Sequence, residues 1–90
     1  MLLLGCTPSD GQLYALSAEA ADLTSAAALC ARVREPDLRN ECAGQLGREH
    51  AEDPGIEAHC RAIEDARWRD ECLFLLAEER WSAGDRDQAT

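Results

Sequence analysis

The feature that most constrains this chain is the placement of four of its five cysteines. Cys30 and Cys42 are 12 positions apart, Cys60 and Cys72 are 12 apart, and the second pair follows the first at an offset of 30. The bracketed segments align without gaps: Cys30/Cys60, Arg39/Arg69, Glu41/Glu71 and Cys42/Cys72 are identical. Val33/Ile63, Glu35/Asp65, Leu38/Trp68 and Asn40/Asp70 keep their character, and Leu46/Leu76, Gly47/Ala77 and Glu49/Glu79 extend the match. A repeat of this period marks stacked helix pairs, in which each unit buries its apolar stripe on its neighbour.

Each unit reads as helix, corner and helix. Pro36 suits the first turn of a helix and disfavours helical geometry at Glu35, so one helix ends near Arg34 and the next begins at Pro36. Asp65 can cap a helix starting at Ala66, and Asp53-Pro54-Gly55 separates the units. Four helices are predicted, over 13–34, 36–50, 54–64 and 66–83, forming an all-α fold of two stacked antiparallel hairpins. In the first, Leu13, Leu16, Ala20, Leu23, Ala27 and Cys30 recur at steps of three and four, the stripe of a packed helix. In the last, Trp68, Cys72, Leu75, Leu76 and Glu79 do the same, with Leu73 and Phe74 widening the apolar face.

The corners decide how the cysteines pair. Twelve positions of unbroken helix span about 18 Å, whereas a disulfide needs Cα atoms within about 7 Å. A corner at the midpoint sets each cysteine about six positions back on antiparallel helices, facing its mate. Four cysteines permit three connectivities. Pairing of Cys30 with Cys72 and Cys42 with Cys60 would resemble the twin-cysteine hairpins of coiled-coil-helix proteins of the mitochondrial intermembrane space. Those hairpins use a shorter spacing on uninterrupted helices, while a step of 12 here turns the second cysteine about 120° off the first one's face. The expected bonds are therefore Cys30–Cys42 and Cys60–Cys72. Each closes a small loop, stabilising by about 3 kcal/mol on the chain-entropy argument.

Composition narrows the function classes. Ninety residues make one domain with a small core. The apolar fraction is mostly alanine and leucine, with only four aromatic side chains, which favours helix over strand. All nine basic residues are arginine, against 18 acids, for a formal charge of -9. Such a chain repels phosphate backbones, so nucleic acid is not an expected partner. No run approaches the roughly 20 apolar residues that span a bilayer.

The amino terminus supplies another kind of membrane contact. Met1-Leu2-Leu3-Leu4-Gly5-Cys6 resembles the end of a bacterial lipoprotein signal, in which an apolar run and a small residue precede the cysteine that receives lipid. The resemblance implies that residues 1–5 are a signal remnant, that Cys6 is the lipidation site, and that the protein faces an extracytoplasmic space anchored in the cell envelope. Cys6 is also the cysteine left over once the other four pair; the alternative is a free thiol. Residues 6–12 then form a flexible tether to a helical repeat domain over 13–90, with units at 13–50 and 54–83.

Other motifs carry less. Structural zinc sites take ligands from close pairs, and here 11, 17 and 11 residues separate the four cysteines, so no metal site is expected even with His50 and His59 available. No cofactor, catalytic group or small-molecule substrate is indicated; among 18 acids no pair stands out. The recurrent Arg39/Arg69 and Glu41/Glu71 either read a shared ligand or stabilise their helices. Trp68 stands where Leu38 does in the repeat and should pack in the core, while Trp81, near a helix end, is the candidate partner contact. The stretch from Leu75 to Ala89 resembles a tetratricopeptide corner, where a helix ends at Ala83-Gly84-Asp85, although that family's usual period is about 34. The expected function is a lipid-anchored extracytoplasmic helical module that binds another protein or serves as a spacer, and not an enzyme. The alternatives are a truncated piece of a larger helical-repeat protein and a small metal-binding protein.

Overall fold

A computed structural model describes residues 7–89, which form five helices and no strand. These are α1 (Asp10–Glu19), α2 (Leu23–Ala31), α3 (Pro36–Glu49), α4 (Ile56–Ala62) and α5 (Ala66–Ala89). Both disulfides pair as the corners require: Cys30 bonds Cys42 with Cα atoms 5.5 Å apart, and Cys60 bonds Cys72 at 5.4 Å. All four cysteines are buried, and the bonds sit inside one core with Leu23, Ala26, Leu46, Ile56, Ile63 and Leu76.

The two corners are built alike from the residues that repeat. Glu35 accepts the backbone N–H of Leu38 at 2.7 Å, and Asp65 accepts that of Trp68 at 3.1 Å, so each acid caps the helix that follows it. Val33 and Ile63, both buried, end the preceding helices by donating to Cys30 and Cys60 carbonyls. Arg39 then reaches back to the Val33 carbonyl at 3.0 Å, and Arg69 to that of Ile63 at 3.4 Å. The repeated arginines therefore satisfy equivalent backbone carbonyls in the two corners, just past the helix ends.

The first expected helix is two helices. Asp22, in extended geometry, accepts the N–H of Ser25 at 2.7 Å and starts α2, leaving Ala20 extended as the cap of α1. An aspartate competes for backbone N–H groups and here outweighs the continuous apolar stripe. The break rotates α1, so Leu16 turns outward at 46% exposure and Ser17 takes the buried place. The Ser17 hydroxyl donates to the Tyr14 carbonyl at 2.7 Å and rests 3.2 Å from the Cys42 sulfur.

Residues 10–12, expected in the tether, are the first turn of α1. Ser9 and Gln12 form a capping box, with bonds of 3.1 and 2.7 Å. Asp10 accepts the backbone N–H groups of Arg34 and Glu35, both at 3.0 Å, tying the start of α1 to the first corner. The third expected helix is shorter than 54–64, because Asp53 accepts the Gly55 N–H at 2.8 Å in a tight turn that delays helix until Ile56. The fifth helix, by contrast, is longer than expected. It runs unbroken through Ala83-Gly84-Asp85, past the end expected at 83; a single interior glycine costs a helix only about 1 kcal/mol.

The tightest helix contact is α3 on α5. Gly44 and Gly47 face it, and both are buried. A methyl group at 44 would stand 3.0 Å from the Trp68 ring, and one at 47 would overlap the Cys72 carbonyl. Half-buried Trp68 covers Gly44, which is the packing role read for it in the sequence.

Candidate functional site

The outer face of α5 carries the largest exposed apolar groups among the described residues. Trp81 is 77% exposed and Phe74 58%. They lie seven positions apart, two helical turns, and so share a face, with exposed Ala77 between them and half-buried Leu73 alongside. Beside Trp81 a shallow cleft of about 500 Å³ is floored by Leu73, Leu76 and Ala77 and rimmed by Glu57, Arg61 and Arg80. Glu57 bridges both arginines, at 2.9 Å to Arg61 and 3.5 Å to Arg80. The Arg61 hydrogen bonds, then that of Arg80, hold its carboxyl below the usual range. On the other flank Arg48 bridges Glu78 at 3.6 Å and Glu79 at 3.8 Å. The apolar face thus has ion pairs along both edges, the arrangement of an apolar centre within a polar rim.

Trp81 is the partner-contact residue expected from the sequence; Phe74, expected only to widen the apolar face of this helix, joins it in solvent. The helical pattern of α5 is apolar at 72, 73, 74, 75 and 76. Nothing in that run says which of them outnumber the helices available to cover them.

A second cleft, of about 620 Å³, opens between the two corners. Its wall includes Arg39, Asn40 and His59. Arg39 is already bonded to Val33, and His59 donates from Nε2 to the Ala43 carbonyl at 2.9 Å. Glu41 is likewise engaged, accepting from the Tyr14 hydroxyl at 2.9 Å; burial, and then this bond, push the phenol well above its ordinary pKa. Arg39/Arg69 and Glu41 are therefore engaged with the fold. His50 lies at the end of α3 beside Glu49, whose carboxyl burial pushes up.

The four paired cysteines have no thiolate to offer a metal, and among the described residues no group of three or more metal-ligating side chains comes together. No described helix is long and apolar enough to cross a membrane. Cys6 and residues 1–5 lie outside the described residues. No protein-family model matches the sequence, and no curated protein or solved structure is similar to it.

Proposed function

We propose that this chain is a lipid-anchored, extracytoplasmic helical module that acts by protein contact through the outer face of α5. The observation that carries the reading is the exposure of Trp81 and Phe74 on one face of α5. Large aromatic groups left in water inside a ring of ion pairs are the usual anchors of protein interfaces. In this reading α2–α3 and α4–α5 are two stacked hairpins, each stapled at its corner, and α1 covers the first.

Export is supported by the chemistry of the core. Both disulfides are buried, and such bonds persist in oxidising compartments. Anchoring is supported by Leu2-Leu3-Leu4-Gly5-Cys6 in a chain with one cysteine to spare. Two measurements in bacterial cells test the reading. A clickable fatty acid should label the protein and be lost from Cys6→Ser. A photo-crosslinking residue at 81 should give discrete adducts that the same residue at Glu52, also exposed, does not. Absence of label overturns the anchor, and identical patterns from 81 and 52 overturn the contact surface.

A further inference from the structure

We propose that the outer face of α5 is a self-association surface, on which a second copy of this chain docks face to face about a two-fold axis. The proposal rests on the reading of that face as a contact surface and names its occupant.

The 30-residue repeat carries the inference. On α3, Gly44 and Gly47 are buried because α5 lies across them, touching through Trp68 and Cys72. Thirty positions on, their counterparts on α5 are Phe74 and Ala77, and the counterparts of Ala43 and Ala51 are Leu73 and Trp81. The outer face of α5 therefore continues, one unit further along, the interface that joins the two units. Burial reverses there: Gly44 and Gly47 are covered, Phe74 and Ala77 exposed. The opposite end of the molecule is closed by α1, through Ser17 against Cys42 and Tyr14 on Glu41. Among the described residues nothing closes α5 in the same way. A stack of repeats needs a polar outer surface or a cover at each end.

A second copy can supply the cover in one way. The residues by which the second unit seats on α3 are Trp68 and Cys72; in the first unit these positions are Leu38 and Cys42, and Cys42 is sealed under α1. A head-to-tail stack would have to expel α1. Among the described residues the other exposed large apolar side chain is Leu16, alone on α1, so the paired aromatic face left on the second copy is its own α5, and the contact is isologous and closes as a dimer. The face is self-complementary in size. Large Phe74 and Trp81 alternate along it with small Ala77 and Gly84, and a side chain placed at Gly84 would meet open space.

Two bulky aromatics bury about 150 to 250 Å² each, so the interface falls below the roughly 800 Å² per partner of a tight complex. Association should be weak and concentration-dependent. Each copy carries a formal charge of -9, so the copies repel, and salt should strengthen the dimer by screening. A partner drawn by charge would show the opposite sign.

The test is sedimentation equilibrium of the Cys6→Ser chain, which cannot be acylated and has no spare thiol, from about 10 μM to 1 mM at low and high salt. The expected mass rises from the 9.8 kDa monomer toward twice that value, more so at high salt. Phe74→Ser with Trp81→Ser, at exposed positions and with an unchanged helical melting curve, should hold the chain at monomer mass. Monomer mass throughout, a dimer weakened by salt, or a double variant that dimerises like the parent overturns the proposal. Cross-linking at 81 to a different protein in cells, with monomer mass in solution, would overturn the second copy as occupant while leaving the contact-surface reading standing.

Discussion

Gly47 of α3 lies directly against the backbone of Cys72 in α5, with no room for a methyl group between them. Backbone cannot yield as a side-chain tip can, so Gly47→Ala must push the two helices apart at a disulfide. The expected cost is about 1 to 3 kcal/mol, less the helix-propensity gain of about 1 kcal/mol. Gly44→Ala meets the Trp68 ring edge at 3.0 Å, which can shift, and should cost less. Urea unfolding of the two variants checks the order; equal midpoints would contradict the close approach.

Arg39→Ala and Arg69→Ala should each destabilise the chain by about 1 kcal/mol, through loss of a charge-assisted bond to a helix-end carbonyl. The Arg39 bond is shorter, 3.0 against 3.4 Å, so its loss should cost more. The corners are separate sites, and the double variant should be close to additive. A ligand-reading role would leave stability unchanged.

Acid should weaken the fold. Backbone N–H groups of Arg34 and Glu35 hold the Asp10 carboxyl below its ordinary 3.8, the Ser25 N–H does the same for Asp22, and Arg61 and Arg80 lower Glu57 from 4.5. A carboxyl with a depressed folded pKa contributes stability that is complete above its unfolded pKa and lost as pH falls through the folded one. Glu49 opposes this, because burial raises its pKa and its protonation on acidification favours the folded form. Three groups outnumber one, so the urea midpoint should fall as pH drops below about 4.5. Asp10→Asn should flatten part of that fall. A midpoint that holds level to pH 2 would contradict these bonds.

Reduction should unfold the domain. Each disulfide closes a loop worth about 3 kcal/mol, against a total stability for small domains of about 5 to 15 kcal/mol. Loss of helical circular dichroism on reduction in mild conditions is the expected outcome. Cys30→Ser with Cys42→Ser should cost about 2 to 5 kcal/mol, since the bonds lie in the core.

Much of this architecture was legible in the residues alone. The 12-residue spacing about a helix-breaking midpoint required the chain to reverse between Cys30 and Cys42, and between Cys60 and Cys72, since one helix cannot bring both sulfurs together. Alanine and leucine ensured helices, and Pro36 and Asp65 placed their starts, because capping acts within a few residues. Tertiary structure decided what local pattern could not. Asp22 could cap a helix or ride inside one, and which side of α1 is covered once Asp22 ends the stripe, Leu16 out and Ser17 in, depends on its packing across α2 and α3. Phe74 stands in an apolar run indistinguishable from core, yet it is exposed because burial depends on how many helices surround a face, which no periodicity records. The contrast between covered Gly44 and bare Phe74, thirty positions apart in one repeat, is the same physics seen twice: the face is written in the sequence, and its cover is a matter of what packs there.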